Sequence, residues 1–157
     1  MPKKRLSEGE VARFRHTVLD FYAERGRRDL PWRLTSEPWL ILVSEMMLQQ
    51  TQVPRVIEPY ERFRRLFPTP GDLARATLGE VLAAWSGLGY NRRAMYLQCA
   101  ARVIVEKHGG AVPASREELL SLPGIGPAAA GGIAAFAFGE AHPFIETNIR
   151  ACLLYTS

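Results

Sequence analysis

Apolar residues recur along most of the chain at steps of three and four positions, the spacing that places them on one face of a helix. The first such segment carries them at Val11, Phe14, Val18 and Tyr22. Ser7 and Glu10 have the three-residue spacing of a capping box, in which each side chain accepts a hydrogen bond from the other residue's amide. The pattern predicts a helix with one apolar face over residues 7–25.

The same spacing predicts helices through most of the remaining chain. Their positions are 38–50, 53–67, a short segment from Asp72, Thr77 to Trp85, 91–108, Ser115 to Leu120, and 127–138. Capping boxes are expected where Thr77 and Ser115 begin their helices, because a glutamate follows each of them three residues later. Gly109 is expected to end the long helix before it in a left-handed conformation.

The pattern also predicts the fold class. No segment of useful length alternates apolar and polar residues as a strand does, and no internal repeat is visible. A chain of 157 residues with 47% hydrophobic and 23% charged residues is ordinary for one soluble globular domain. We therefore predict an all-α fold of many short helices joined by tight turns.

Composition and charge narrow the possible functions. No apolar stretch reaches the roughly 20 residues that cross a bilayer, and no apolar segment follows the basic N-terminus, so a cytoplasmic protein without a membrane partner is expected. Cys99 and Cys152 are too few for a disulfide framework or a four-thiolate metal site. The net charge of +4 and the pI near 9.4 suit a polyanionic partner but do not establish one.

The segment WLILVSEMMLQQ, residues 39–50, places one carboxylate in an apolar run. Its apolar side chains spread around nearly the whole helix at about 100° per residue, which predicts a buried helix. Burial disfavours the ionised form and raises the pKa of a carboxyl group, so Glu45 is a candidate general acid near neutral pH. The alternative is a structural ion pair with one of the chain's many arginines, and the helix alone does not decide between the two.

A second candidate site is the segment LPGIGPAAAGG, residues 122–132, between two predicted helices. Gly124 and Gly126 allow close approach of the backbone to a ligand, and free amides in the helix that Pro127 begins suit an anion such as DNA phosphate. A tight turn that needs glycine for its geometry alone is the alternative. Nearby basic residues either support binding or form a solvated face; they are Arg62, Arg64, Arg65, Arg92 and Arg93.

A second carboxylate lies in PFIETNIR at Glu146. Thr147 or Asn148 could cap a helix that begins at Ile149, with Glu146 stabilised at its positive end. Alternatively, Glu45 and Glu146 flank a glycosidic bond. Its cleavage through an oxocarbenium-like state needs one acid to protonate the leaving group and one carboxylate to stabilise the sugar cation.

Taken together, five segments resemble the helix-hairpin-helix (HhH-GPD) DNA glycosylases, and most closely the A/G-specific adenine glycosylases. They are LPWR at 30–33, PWLILVSEMMLQQTQV at 38–53, WSGLGYNRRA at 85–94, LPGIGPAAAGGIAAFAFG at 122–139 and ETNIR at 146–150. The resemblance covers roughly residues 7–151 and implies the multi-helix HhH-GPD fold. The activity it implies is base excision repair, in which the enzyme flips a mispaired base and hydrolyses its N-glycosidic bond. The best match for that base is adenine opposite guanine or 8-oxoguanine.

The resemblance also implies roles for individual residues. In this family the glutamate at the position of Glu45 protonates the base, and the carboxylate at the position of Glu146, usually an aspartate, stabilises the sugar cation. The residues implied in the base pocket and in the gap left by the flipped base are Trp32, Arg33, Leu48, Gln49, Gln50 and Tyr90. Those implied at DNA phosphate are Leu122, Gly124, Ile125, Gly126 and Asn148. Ala128 stands where the endonuclease III branch has a lysine nucleophile, which implies a monofunctional glycosylase.

The implied partner is double-stranded DNA with a mispaired or damaged base, bound by a monomer in the cytoplasm at the nucleoid. No cofactor and no metal site are supported by these residues. The resemblance allows a 4Fe-4S cluster only in a further C-terminal part, and it allows a monovalent cation held by carbonyl groups of the hairpin.

The predicted organisation has four parts. Residues 1–29 form the N-terminal helix of a terminal lobe, residues 30–139 form the helical core with the helix-hairpin-helix at 115–138, and residues 140–151 carry the second carboxylate. CLLYTS, residues 152–157, is the translation of a transposon end used in preparing sequencing libraries, so this tail is expected to be non-native. The second lobe would then be incomplete, and weak or absent activity is expected of the chain in this form.

Two other interpretations remain open at this point. A helix-hairpin-helix module that binds DNA without chemistry is favoured by Glu146, which is one methylene longer than the aspartate of the family, and by the incomplete lobe. An ordinary helical interaction protein would show no salt-dependent affinity for DNA. Glu45→Gln separates a glycosylase from a binding module, because only a glycosylase loses base release while it keeps duplex binding.

Overall fold

A computed structural model of the chain describes residues 6–140 and 149–152, and all regular secondary structure in these residues is helical. This confirms the predicted all-α class. The helices are α1 (Glu8–Arg25), a 3-10 helix (Pro31–Arg33), α2 (Pro38–Leu48), α3 (Val53–Leu66), α4 (Pro70–Arg75), α5 (Leu78–Ala84), α6 (Arg92–His108), α7 (Arg116–Ser121) and α8 (Pro127–Phe138). Residues 149–152 are also helical. No described helix is long and apolar enough to cross a membrane.

The chain divides into two compact units, residues 1–30 and residues 31–157. The first unit contains α1, and its predicted capping box is confirmed. The Ser7 hydroxyl accepts a hydrogen bond from the Glu10 amide at 3.3 Å, and the Glu10 carboxylate accepts one from the Ser7 amide at 2.8 Å. This reciprocal cap satisfies amides that have no partner within the first turn of the helix.

Helix α2 lies at the centre of the second unit and packs against α3, α6, α8 and the 3-10 helix. Its buried residues are Trp39, Ile41, Leu42, Val43, Ser44, Met46 and Met47. They surround the helix, as the apolar pattern predicted. The helix ends at Leu48, two residues before its predicted end, because Gln50 has a φ of 53° and cannot continue a right-handed helix.

An aromatic cluster joins α2 to α3 and α5. The ring of Phe63 packs edge-on against Phe67, with 4.9 Å between the ring centroids, and against Trp85, with 6.1 Å between them. Trp39 Nε1 donates a hydrogen bond to the carbonyl of Phe67 at 3.0 Å. These contacts hold the beginning of α2 against the end of α3.

The short helix α4 begins earlier than its predicted start at Asp72. Its first residue is Pro70, and Thr69 and Asp72 form a reciprocal capping box. Proline is favoured at the first position of a helix because its missing amide would have no partner there. Pro70, four residues after the end of α3, therefore begins this helix.

Other predicted helix ends are confirmed, with one exception. Thr77 forms a full capping box with Glu80, and Gly109 has the left-handed φ of 61°. Ser115 caps α7 through its hydroxyl, but the Glu118 carboxylate accepts its hydrogen bond from the Ser115 hydroxyl at 2.6 Å and not from the backbone. Only half of that predicted box is therefore present.

The aromatic cluster yields a test of stability. We expect Phe63→Ala to lower the free energy of unfolding by about 3–5 kcal/mol, since it removes a fully buried ring and leaves a cavity. Leu66→Ala on the same helix is the control, because Leu66 is 55% exposed and its loss should cost less than about 1 kcal/mol. Urea unfolding measures both, and equal effects would contradict the packing described.

Candidate active site

Glu45 lies on α2 with buried neighbours on both sides, and its side chain is only partly exposed. Burial raises the pKa of Glu45 from 4.5 to about 7, and the positive charge of Arg33 acts in the opposite direction. The rise in pKa expected from the sequence is therefore present. A carboxyl group with this pKa is partly protonated near neutral pH and can donate a proton.

Gly132 on α8 makes room for this carboxyl group. A Cβ atom at position 132 would lie 2.7 Å from Glu45 Oε2 and 2.9 Å from its Cδ, much closer than real Cβ atoms approach other atoms. The carboxyl group thus rests against the backbone of α8, where water cannot surround it. This contact was not foreseen, because LPGIGPAAAGG has several glycines and nothing in the sequence distinguishes Gly132 among them.

The 3-10 helix carries two of the predicted pocket residues, in a segment where the apolar pattern predicted no helix. Trp32 is buried, and its ring packs edge-on against Tyr60 with 5.4 Å between the centroids. Arg33 is exposed, and its Cζ atom lies 5.4 Å from the centroid of the Phe136 ring on α8. Arg33 therefore reaches the site through its charge and its stacking on Phe136, while Trp32 supports the helix from the core.

The two glycines of the hairpin between α7 and α8 differ in what their surroundings require. Gly124 has a φ of 80°, and a Cβ there would lie 2.8 Å from both Met46 Cε and Tyr96 Cβ. Its glycine is required by geometry, which was the structural alternative. Gly126 has a φ of −93° and open space where a Cβ would be, so neither strain nor packing explains its glycine.

The remaining hairpin residues hold the turn in place. Leu122 and Ile125 are buried, and the Ile125 amide donates to the Leu122 carbonyl at 3.2 Å. Gly126 is the N-cap of α8, where no side chain caps the first amides. These amides, beside the open space at Gly126, have the geometry that binds an anion at a helix N-terminus.

The residues predicted to enter the duplex surround one cavity. Gln49, Gln50 and Tyr90 line a space of about 520 Å³, and Leu48 lies partly exposed just before it. Gln50 and Tyr90 are the only non-glycine residues of the described chain with a positive φ, at 53° and 50°. The side-chain amide of Gln49 lies 3.5 Å from the Gly124 carbonyl, which connects this cavity to the hairpin.

Arg93 was expected either to be available for phosphate or to lie on a solvated face, and it does neither. Its side chain is buried, whereas Arg92 beside it is exposed. Consecutive residues on a helix point about 100° apart, so one of two adjacent arginines can face the core. Arg93 lies four residues before Leu97 and eleven before Ile104, on the apolar face of the helix, so the periodicity distinguishes it from Arg92.

Two predicted site residues, Glu146 and Asn148, lie outside the described residues. Within residues 6–140 and 149–152, no group of three or more His, Cys, Asp or Glu side chains is arranged to hold a metal ion. A monovalent cation at the hairpin and an iron-sulfur cluster in a further part of the protein stay predictions.

The sequence and the fold match those of a known family. Residues 43–153 match the family described as HhH-GPD superfamily base excision DNA repair protein. The match covers more than half of the chain, and the chain belongs to this family. This confirms the resemblance that the five sequence segments indicated.

Individual relatives have known names. The adenine DNA glycosylase of Mycobacterium tuberculosis is 44% identical over 149 residues, which are 92% of this chain and 49% of that protein. A thymine/uracil-DNA glycosylase of Pyrobaculum aerophilum is 35% identical over 141 residues, covering 89% of this chain and 61% of that protein. The solved structure of a thermostable thymine-DNA glycosylase superposes with a TM-score of 0.82 at 31% identity, over 87% of this chain and 63% of that one. The chain spans about half the length of the first of these relatives.

The pKa of Glu45 predicts how stability depends on pH. The pKa of Glu45 is 4.5 in the unfolded chain and about 7 in the folded chain. The folded state therefore binds the proton more tightly, and it loses stability as pH rises from 4.5 to 7. Glu45→Gln removes this titration. Its free energy of unfolding should therefore exceed that of the wild type by about 1–3 kcal/mol at pH 8, with no difference left near pH 4.5.

Urea unfolding at the two pH values measures this difference. Glu106→Gln is the matched control, because Glu106 is exposed on α6 and its change should matter by less than about 0.5 kcal/mol at either pH. A stability difference that is the same at both pH values would contradict the burial of Glu45.

The contact with Gly132 predicts a second change in titration. We expect Gly132→Ala to lower the pKa of Glu45 towards 4.5, because the added methyl group pushes the carboxyl group away from α8 and towards water. Gly79→Ala is the control, since Gly79 is also helical and has open space around a Cβ. Carboxyl ¹³C NMR titration measures the pKa, and an unchanged value in Gly132→Ala would refute the contact.

Proposed function

We propose that the protein is a DNA N-glycosylase of base excision repair that flips a mispaired base out of the duplex and hydrolyses its N-glycosidic bond. The proposal rests above all on one observation: the only carboxyl group of α2 is held against Gly132 with a pKa of about 7. The family to which the chain belongs and the names of its relatives support the same activity.

The hairpin is proposed to hold the DNA backbone. The uncapped amides at the start of α8 and the open space at Gly126 suit one phosphate group. The net charge of +4 suits a polyanion such as DNA, and contacts between cationic side chains and phosphate would make the affinity fall as salt concentration rises. Phosphate contacts fix the position of the duplex and carry no base specificity.

The cavity beside the hairpin is proposed to receive the distorted duplex. A base must leave the stack before its glycosidic bond can be reached, which costs roughly a few kcal/mol. Gln49, Gln50 and the exposed ring of Tyr90 line the cavity and would occupy the gap that the base leaves. Their insertion offsets part of the cost of unstacking.

The chemistry is proposed to begin with proton transfer. Glu45 donates its proton to the flipped base, which makes the base a better leaving group, and the sugar develops positive charge as the bond opens. Glu146 is proposed to stabilise that charge. Ala128, exposed at the start of α8, offers no amine, so water and not the protein is proposed to attack the sugar.

Adenine opposite guanine or 8-oxoguanine is the proposed target, because the adenine DNA glycosylase of Mycobacterium tuberculosis is 44% identical to this chain. The relative named thymine/uracil-DNA glycosylase makes thymine or uracil opposite guanine the second candidate. Duplexes with one A:G, A:8-oxoguanine, T:G or U:G pair distinguish the two, and base release is the measurement. Release from none of the four duplexes by the full-length protein would overturn the proposed function.

Glu45→Gln tests the role of the acid on the duplex that the wild type cleaves. We expect single-turnover base release to fall by about 100-fold or more, because an amide cannot donate the proton, while duplex affinity stays within about threefold. Glu106→Gln is again the matched control and should retain wild-type release. Unchanged release in Glu45→Gln would remove Glu45 from the mechanism, and loss of DNA binding would show a structural role instead.

A further inference from the structure

Two turns of the backbone line the cavity that contains Gln49, Gln50 and Tyr90. The glutamine turn, residues 49–51, follows α2, and the tyrosine turn, residues 87–91, precedes α6. Each contains one non-glycine residue in the left-handed region, Gln50 with a φ of 53° and Tyr90 with a φ of 50°. Such conformations are unfavourable and persist only where the surrounding structure holds them.

The guanidinium of Arg93 holds the glutamine turn. Its Nη1 atom donates to the carbonyls of Met46 and Met47 at 3.1 Å each, and also to the carbonyl of Gln49. Its Nη2 atom donates to the Thr51 hydroxyl at 3.0 Å. The last carbonyls of a helix lack partners within the helix and carry partial negative charge, so one cation satisfies several of them at the end of α2.

The same guanidinium contacts the tyrosine turn. Nη2 lies 3.4 Å from the carbonyls of both Leu88 and Gly89. The Cζ atom of Arg93 lies 5.3 Å from the centroid of the Tyr90 ring and 5.6 Å from that of Trp85. Trp85 Nε1 also donates to the Gly89 carbonyl at 3.1 Å, which fixes this turn from its other side.

Burial determines what Arg93 can do. Its side chain is only 9% exposed, and its charge is surrounded by carbonyl groups and aromatic rings. A guanidinium in this position is not free to bind a DNA phosphate, although Arg92 beside it is exposed. Its planar fork of donors suits several acceptors at once, which a lysine ammonium on a single nitrogen cannot match.

We propose that Arg93 is a positioning residue that locks the glutamine turn and the tyrosine turn together, so that both enter the duplex as one rigid unit during base extrusion. The proposal rests on the proposed function for its DNA step. Its structural part, the joint hold on two strained turns by one guanidinium, belongs to the free protein.

Amide hydrogen exchange in the free protein tests the structural part. We expect Arg93→Met to speed exchange at the amides of both turns by about tenfold or more. In the wild type, opening of either turn breaks hydrogen bonds to the Arg93 guanidinium, and without them each turn opens more often. The amide of Ile104, fully buried in α6, reports global unfolding and should change less. Arg102→Met on the same helix removes an exposed arginine and is the matched control.

The outcomes of exchange are distinct. Faster exchange at both turns, with little change at Ile104, supports the joint hold. Faster exchange at one turn only, or an equal change at all three places, overturns it, since a merely structural residue would loosen the whole domain. If Arg93→Met does not fold, Arg93→Lys replaces it, and both turns are again expected to exchange faster, because one ammonium cannot reach the acceptors of both turns.

A second measurement tests the DNA step. A duplex with an A:8-oxoguanine pair and 2-aminopurine beside it reports unstacking through fluorescence. We expect Arg93→Met to slow the fluorescence rise by about tenfold or more, because even ~1 Å of misplacement in such a site is costly. Affinity for an undamaged duplex should stay within about threefold, since no phosphate contact is lost. Partial rescue by Arg93→Lys is expected.

Failure of this inference differs from failure of the proposed function. Normal unstacking by Arg93→Met, in a protein whose wild type releases the base, overturns the positioning role alone. A wild type that neither unstacks nor releases any base overturns the proposed function, and hydrogen exchange in the free protein still decides whether Arg93 holds both turns.

Discussion

The desolvation of one carboxyl group depends on the packing of the whole second unit. Helix α2 has buried residues around its circumference because α3, α6, α8 and the 3-10 helix all pack on it. A polar residue in such a helix loses water on every side, and an ionised carboxylate loses the most. The raised pKa of Glu45 is therefore a property of this four-sided packing as well as of its nearest neighbours.

Helix α8 connects the acid to the hairpin. Its alanines and glycines allow close approach to α2, and the missing Cβ of Gly132 accommodates the Glu45 carboxyl group. Within the hairpin itself, Gly124 lies against the side chain of Met46, the residue next to Glu45. The hairpin is thus connected to the acid in two ways, through α8 and through the contact between Gly124 and Met46.

Local rules predicted more of the fold than of the site. Periodicity and capping residues indicated α2, α6 and the helix starts at Ser7 and Thr77, because those signals arise from residues three or four positions apart. The Gly132 contact and the partners of the Arg93 guanidinium depend on which helices meet, and no local pattern in the sequence specifies them. Family motifs therefore indicated the candidate site residues, whereas the contacts that position them required the three-dimensional structure.

Two opposing effects set the proton affinity of Glu45, and residues of α8 contribute to both. Burial against Gly132 raises the pKa, and the charge of Arg33 lowers it. Arg33 stacks on Phe136, four residues after Gly132 and so on the same side of α8. A shift of this helix towards α2 would deepen the burial of the acid and also move the platform that supports the arginine. The burial of the acid and the support of the arginine therefore both depend on where α8 packs, so the contact between α2 and α8 sets the proton affinity of Glu45.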